Sequence, residues 1–320
     1  MSNTEEKINK ILEKIPIINR ILAWSKRYSP AVFKEVTVYE VVTFVLKEAH
    51  KDNLTSRANS VAFSLFLSIF PLILFLFTLL PMLPVVHDYM TTLSEQLRGV
   101  IPENAHDYIF SIIYDITSIK RDGLLSLGAF LALVFSSNGM LTLMSGFDKA
   151  YHDTFKSRPW WKSRLLSILL TLILSILLII SLVSVVVESH ILNYLSERFD
   201  VDDGVLYLGS LANKIFSVFL IYTGISLIYT IGPSMHRRMN FINLGSIVAT
   251  ILSLLTSLAF SYFINNFGRY NQLYGSIGAL IVLMIWIQFN SFIILVGFEL
   301  NASLAVQANR KRNQKKEQAQ

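Results

Sequence analysis

LLSILLTLILSILLIISLVSVVV, residues Leu165–Val187, is a run of 23 residues without a charged side chain. Crossing the hydrocarbon layer of a bilayer, about 30 Å thick, takes about 20 mostly apolar residues in a helix. Since lipid offers the backbone no hydrogen-bond partner, such a run satisfies its own peptide groups as an α-helix. This stretch therefore predicts a transmembrane helix.

Five further apolar runs of similar character accompany it along the 320-residue chain. They are Ala58–Leu80, Leu124–Met144, Ile215–Ile231, Leu244–Ile264 and Ile277–Val296. Hydrophobic residues make up 53% of the chain and charged residues 16%, against about a quarter charged in soluble domains. The predicted fold class is all-α: a polytopic membrane protein with six transmembrane helices and additional amphipathic helices at the surface.

The loops on alternate sides of these runs differ in their content of basic residues. One side carries 21 Lys and Arg and the other 5, with Arg164 and Lys214 at the boundaries of runs. Lys and Arg accumulate in cytoplasmic loops. The pattern predicts that both termini are cytoplasmic, as an even number of spans requires.

The chain divides into three regions. Residues 1–57 form a cytoplasmic amphipathic segment, residues 58–300 the six-helix transmembrane domain, and residues 301–320 a basic cytoplasmic tail that we expect to be disordered. Within the first region, Thr4–Arg27 shows helical spacing of apolar residues, which predicts a helix on the inner membrane surface or against other cytoplasmic elements. A second amphipathic helix is predicted at Tyr108–Ile116, between the first two runs.

The residue types of most catalytic and metal sites are missing or scattered. There is no cysteine, which excludes disulfides, thiolate metal ligands and cysteine nucleophiles. The 6 histidines show neither HxxxH nor HExxH spacing, and no phosphate-binding loop occurs. We therefore expect no catalytic residue, no metal ligand and no cofactor. The tail lacks the aromatic residues of an RNA-binding platform, so its positive charge is assigned to topology and lipid headgroups rather than to nucleic acid.

Polar residues inside the apolar runs are the candidate functional residues, because such groups are costly in lipid. They are Asn138 in the second run, Gln288 and Asn290 in the last run, and Glu299 near the end of the last run. The four predict either a polar groove that guides a headgroup or ion, or bridges between helices. Pro71 removes one helix hydrogen bond and is a candidate helix break.

A stripe of small residues marks the fifth run. Its members, spaced 4 apart, are Gly245, Ala249, Ser253, Ser257 and Ser261. Small residues let helices approach closely in a membrane. Shorter stripes, Ser60-Ser64-Ser68 and Ser167-Thr171-Ser175, lie in the first and third runs. These stripes predict tight helix packing, with a polar conduit as the alternative.

Four segments are similar in order and spacing to those of a known family. They are Arg57–Pro71 (RANSVAFS and SIFP), Gly123–Tyr151 (SSN and FDKAY), Trp160–Arg164 (WWKSR) and Tyr274–Ala302 (YGSIGA and GFELNA). Over about residues 45–306 the chain resembles the BrkB/YihY family of bacterial inner-membrane proteins, long labelled ribonuclease BN. Gln288 stands near a position where the family commonly has an aromatic residue. The resemblance implies a six-helix inner-membrane protein linked to envelope integrity and, in some members, to serum resistance.

Two functions of different kinds are expected from this setting. The first is movement of lipids or other amphiphiles across or between membranes, with membrane lipids as partners. The alternative is a structural or scaffolding protein that recruits envelope partner proteins, and the small-residue stripes fit a homo-oligomer in either case. A ribonuclease is the least favoured function, because no pattern resembles a metal-dependent phosphodiesterase site. We expect no enzyme activity.

Overall fold

The structure, a computed structural model, describes residues 54–79, 122–148, 154–198, 203–266 and 268–317, together with Trp24, Thr37, Tyr39 and Thr43. Trp24 is helical and exposed. The rest of the predicted amphipathic helix Thr4–Arg27, and the whole of Tyr108–Ile116, lie outside the described residues.

Six α-helices make up the described ranges. In order they are α1 (Leu54–Leu79), α2 (Asp122–Ser145), α3 (Trp160–Arg198), α4 (Asp203–Ile231), α5 (Leu244–Asn266) and α6 (Gly268–Glu317). Each contains a segment long and apolar enough to cross a membrane: Leu54–Leu76, Leu127–Ser145, Trp160–Val185, Leu206–Ile231, Leu244–Ile264 and Leu280–Val306. Within these ranges extended pairing is limited to one isolated antiparallel bridge, between Phe155 and Met235. The predicted all-α class with six spans is confirmed.

The fourth span is longer than its apolar run predicted. Its segment begins at Leu206 rather than at Ile215, so Lys214 lies within the span, where it is exposed. A lysine can bury its hydrocarbon stem along the helix and carry its ammonium towards the interface. A single lysine therefore does not end a membrane helix.

The last helix continues into the region expected to be disordered. It runs without interruption to Glu317, and Asn301 and Val306 are buried. The Asn309 side-chain amide donates to the Thr154 hydroxyl at 3.3 Å. Packing at the start of this segment extends the helix into residues that favour helix, mainly Lys, Arg and Gln.

The six helices form a ring. Each helix packs against its neighbours in sequence, and α6 closes the ring by packing against α1. Glycines mark the closest approaches. A Cβ at Gly245 of α5 would lie 2.1 Å from the carbonyl oxygen of Gly297 in α6, and a Cβ at Gly139 of α2 would lie 3.0 Å from the Cα of Leu65 in α1. The ring is therefore tight at these crossings.

An aromatic cluster fills one end of the ring. The rings of Phe147 and Phe298 lie 4.4 Å apart, and Tyr229 and Phe155 pack on them at 6.0 and 6.2 Å. All four side chains are buried. The Tyr229 hydroxyl donates to the carbonyl of Ile294 at 2.6 Å, so the one polar group of the four rings has a hydrogen-bond partner. This end is the one that loop charge predicts to be cytoplasmic.

Candidate functional site

Beside the aromatic cluster, one arginine joins three helices. Nη1 of Arg57 on α1 lies 3.1 Å from Oε1 of Glu299 on α6, and its Nη2 donates to the carbonyl of Gly146 at the end of α2. The Glu299 side chain is only 1% exposed. A buried carboxylate needs such a partner, since its charge is otherwise very costly. Glu299 is thus placed in an ion pair at the end of the bundle.

Charged loops cover the same end. Arg158 donates to the carbonyls of Gly232 and Pro233, both at 3.0 Å, where α4 ends. Desolvation raises the pKa of the Asp148 carboxyl above its ordinary value, and the Arg158 and Arg57 guanidinium groups oppose part of that rise. Burial lowers the pKa of the Arg158 guanidinium, which Asp148 opposes. The loop after α2 is therefore held to the end of α4 by a mixed network of charges and carbonyls.

Two backbone bonds and a side-chain bond reinforce that contact. The Lys156 amide donates to the Ser234 carbonyl at 2.9 Å, and the His236 amide donates to the Thr154 carbonyl at 3.0 Å. The Ser234 hydroxyl returns a bond to the Lys156 carbonyl at 2.6 Å. The two loops thus form one layer under the bundle.

Asn138 lies on an exposed face of α2 and is paired with an arginine of α3. Nη1 of Arg164 donates to Oδ1 of Asn138 at 2.7 Å, and Nη2 donates to the carbonyl of Val134 at 2.8 Å. Both residues lie in the spanning segments of their helices. The pair therefore places a positive charge and an amide side by side on the surface of two spans.

Gln288 forms a second exposed pair, between α6 and α1. Its side-chain amide donates to Oδ1 of Asn59 at 2.8 Å, and both residues are exposed. Asn290, two residues further along, donates to the Trp286 carbonyl of its own helix at 2.9 Å. The hydrogen bonds of the predicted groove residues Asn138, Gln288, Asn290 and Glu299 thus run to four different partners.

A cavity of about 270 Å³ lies among α1, α2, α3 and α6. Its polar lining comprises Asn290 and five hydroxyl residues, Ser68, Ser136, Thr171, Ser175 and Ser291. Hydrocarbon side chains from the four helices and the indole of Trp286 form the rest of its wall. Of the predicted groove residues, Asn290 is the one that reaches this cavity.

Pro71, the candidate helix break, lies inside α1, which continues through it to Leu79. Its neighbour Leu72 lines the cavity, as does Ile69, which lies two residues before Pro71.

The small-residue stripe of α5 is buried at its first residues and exposed at its last. Gly245, Ala249 and Ser253 are buried, Ser257 accepts a bond from the Trp286 indole at 3.3 Å, and Ser261 is exposed.

Sequence reasoning missed the partners of the polar residues. Arg57 and Arg164 were counted as loop or boundary charges, and Asn59 was not singled out. Their positions in the segments RANSVAFS and WWKSR were the available signal, since each segment opens a span. In the described ranges no group of three or more His, Asp or Glu side chains gathers in a way that would hold a metal ion.

A family model described as Virulence factor BrkB matches residues 45–320. The chain belongs to the BrkB family. The match covers all six helices and begins before α1, so every residue of the site described above lies within it. The resemblance of the four sequence segments is therefore confirmed.

Curated relatives of this BrkB-family chain cover most of its length. It is 31% identical to a ribonuclease-like protein, YfkH, of Bacillus subtilis over 249 residues, which cover 78% of this chain and 89% of the relative. It is 26% identical to the UPF0761 membrane protein NTHI0384 of Haemophilus influenzae over 81% of this chain and 92% of the relative. No solved structure matches the chain. With its six spans, the chain is a multi-pass inner-membrane protein.

Proposed function

We propose that this BrkB-family protein moves lipids or other amphiphiles across or between membranes. The observation that carries the proposal is the pair Asn138–Arg164, bonded at 2.7 Å within two spanning segments, with Asn138 on an exposed helix face. Polar and charged groups at such positions are costly against lipid tails and mark pathways for polar solutes. A lipid headgroup moving past this face would find a hydrogen-bonding surface there.

The chemistry of the pair suits an anionic headgroup. A guanidinium binds phosphate through strong, charge-assisted hydrogen bonds. The amide of Asn138 keeps Arg164 at the helix surface, and a phosphate is able to replace that amide as acceptor. The second exposed pair, Asn59–Gln288, offers uncharged hydrogen-bonding groups to a headgroup between α1 and α6. Under this proposal headgroups exchange partners along the outer faces of the ring.

The orientation of the bundle belongs to the same proposal. Under this proposal both termini lie in the cytoplasm, as the loop charge predicts. The Arg57–Glu299 pair and the loops bearing Asp148 and Arg158 then face the inner leaflet, whose anionic lipids attract basic segments. The basic end of α6 would raise the local concentration of such lipids at the protein.

The experiment is transbilayer exchange in reconstituted vesicles. Phosphatidylglycerol with a headgroup fluorophore is placed in both leaflets, and an impermeant reductant bleaches the outer leaflet. In empty vesicles the inner label survives. With the protein present we expect all of the label to be bleached, because inner lipids reach the outer leaflet during the assay. Survival of the inner label at the level of empty vesicles contradicts the proposal.

The scaffolding alternative is favoured by a different observation. The pairs Asn138–Arg164 and Asn59–Gln288 each bridge two helices, as structural bonds in membrane bundles do. A scaffold predicts that substituting Asn138 and Gln288 by Leu leaves cellular function intact, whereas deleting residues 1–27 abolishes it. The translocator predicts the reverse for the two Leu substitutions.

We further propose that the protein is not an enzyme. The name ribonuclease-like belongs to the Bacillus subtilis relative, at 31% identity. The ribonuclease hypothesis would need the carboxylates of Asp148 and Glu299. In the structure these interact with Arg158 and Arg57, respectively, at the end of the bundle. Incubating purified protein with RNA and divalent metal tests this. Metal-dependent cleavage that is lost in Asp148→Asn and Glu299→Gln would contradict it.

A further inference from the structure

Two residues that line the cavity between α1, α2, α3 and α6 have buried hydroxyls without a hydrogen-bond partner in the described residues. Thr171 of α3 is 6% exposed and Ser291 of α6 is 1% exposed, and neither hydroxyl is bonded. Leaving such a buried group unpaired costs about 1–3 kcal/mol. Two such groups in the wall of one cavity point to a ligand atom that accepts hydrogen bonds from both.

The other hydroxyls of the cavity are already satisfied. Ser68 donates to the Ser64 carbonyl at 2.7 Å, and Ser136 donates to the Leu133 carbonyl at 2.9 Å. Ser175 donates to the carbonyl of Thr171 at 2.8 Å. Among the hydroxyl residues of the cavity wall, Thr171 and Ser291 therefore differ from these three in having no hydrogen-bond partner for the side chain.

The remaining wall decides the chemical class of the ligand. None of the lining residues that the structure describes is charged, and most are Leu, Ile or Met. A phosphate or an ion would have no counter-charge there, whereas hydrocarbon is well matched. The volume of about 270 Å³ equals roughly nine water molecules in the liquid, which suits a segment of one chain. Leu178, a lining residue, is 42% exposed, so the cavity reaches the bundle surface and a chain can enter from the lipid.

We propose that this cavity binds a single acyl chain, with Thr171 and Ser291 donating hydrogen bonds to its uncharged ester carbonyl. The inference rests on the proposed function and names the part of the amphiphile that the ring holds: the tail enters the cavity while the headgroup stays on the polar outer faces. The bound carbonyl satisfies both hydroxyls and brings no charge into the wall.

The depth of the hydroxyls fits a lipid in transit. Thr171 lies 11 residues after Trp160, the first residue of α3. At about 1.5 Å per residue this is about 16 Å, close to half of a hydrocarbon layer about 30 Å thick. A resting lipid keeps its ester groups at the interface. Donors halfway across lower the cost of an ester at the depth where it is otherwise highest.

Trp286 provides the probe, because its indole lines the cavity. Substituting Trp24, Trp160 and Trp161 by Phe leaves it as the single tryptophan, since the chain has 4. The protein is held in micelles of unbrominated detergent and titrated with the methyl ester of a fatty acid brominated at mid-chain. We expect saturable quenching of the Trp286 fluorescence. Quenching that rises linearly without saturation overturns the proposal.

The hydroxyls are tested by conservative substitution. In Thr171→Val with Ser291→Ala we expect the apparent affinity for the ester to fall by about tenfold. A bromoalkane of the same length, which has no carbonyl, should bind both proteins equally. The matched control is Thr250→Val with Ser303→Ala, two buried hydroxyls outside the cavity wall. An equal affinity of ester for the test and control variants contradicts the assignment.

Two further arms complete the design. Ser291→Leu fills the cavity and should abolish saturable quenching, while the conservative variants keep the test valid if this one fails to fold. Phosphatidylglycerol brominated on one chain is compared with the methyl ester: saturable quenching by the phospholipid identifies a membrane lipid as the source of the chain, and quenching by the ester alone identifies a free single-chain ester. Saturable quenching without lipid exchange in vesicles would retain this site and reject translocation, whereas exchange without saturable quenching would do the opposite.

Discussion

Arg57 and Glu299, 242 residues apart in the chain, meet in an ion pair of 3.1 Å between Nη1 and Oε1. The pair joins the first span to the last, and the second guanidinium nitrogen of Arg57 adds the end of α2 through the Gly146 carbonyl. One side chain thus holds three helices together at the end of the ring where the charged loops lie.

Removing one member of this pair should destabilise the bundle. Because the Glu299 carboxylate is buried, Glu299→Met removes an ion pair from a poorly solvated site, and we expect a loss of about 3 kcal/mol in the free energy of unfolding. The double variant Arg57→Met with Glu299→Met should lose less than the sum of the two single changes. Denaturant titration in micelles measures all four proteins. Strict additivity would show that the two side chains do not act as a pair.

Asp148 should make stability depend on pH. Its pKa is raised in the folded protein, so the folded state holds a proton that the unfolded state has released. Its contribution is fully present below the ordinary value of 3.8 and is lost as the pH rises through the raised pKa. Thermal unfolding across this window should show a decline that is smaller in Asp148→Asn. An unchanged decline in that variant would assign the effect to another group.

Two glycines should respond in opposite ways to alanine. A Cβ at Gly245 would meet the Gly297 carbonyl at 2.1 Å and force α5 away from α6. We expect Gly245→Ala to cost about 1–3 kcal/mol, as overpacking does. Gly128→Ala is the matched control: nothing lies within 4 Å of its added Cβ, and alanine favours helix by about 1 kcal/mol. Equal melting temperatures for the two variants would contradict the close crossing.

Sequence pattern was sufficient for the spans because an apolar run of the right length has one stable form in lipid. It was insufficient for helix ends: Lys214 lies inside α4, and α6 extends to Glu317, because snorkelling and packing decide those boundaries. The partners of Asn138 and Gln288 could not be predicted, since a single sequence does not say which helices are neighbours. The sequence shows Thr171 as part of a packing stripe, and only the fold shows that it lines a cavity.

Loop charge predicts the orientation of the termini, and direct labelling tests that prediction. The chain has no cysteine, so single-cysteine variants carry one reactive site. We expect an impermeant thiol reagent outside intact spheroplasts to label Asp200→Cys, in the predicted outer loop, and not Lys315→Cys. After lysis both should react. Labelling of Lys315→Cys in intact spheroplasts would place the C-terminus outside.

The polar pairs should matter more for exchange than for stability. Single hydrogen bonds between membrane helices contribute about 0.6 kcal/mol to stability on average. Gln288→Leu should therefore leave unfolding nearly unchanged, while lipid exchange in vesicles falls because a step on the headgroup path is lost. Exchange at the wild-type rate would remove Asn59 and Gln288 from the path.

The most direct test of the translocation proposal is transbilayer exchange of headgroup-labelled phosphatidylglycerol. The exchange rate is compared among empty vesicles and vesicles that contain wild-type protein, the double variant Asn138→Leu with Gln288→Leu, or Gly128→Ala. We predict that wild type and Gly128→Ala speed exchange by at least about tenfold over empty vesicles, a barrier reduction of about 1.4 kcal/mol or more, and that the double variant loses most of this gain. Wild-type vesicles that exchange lipid no faster than empty ones would contradict it.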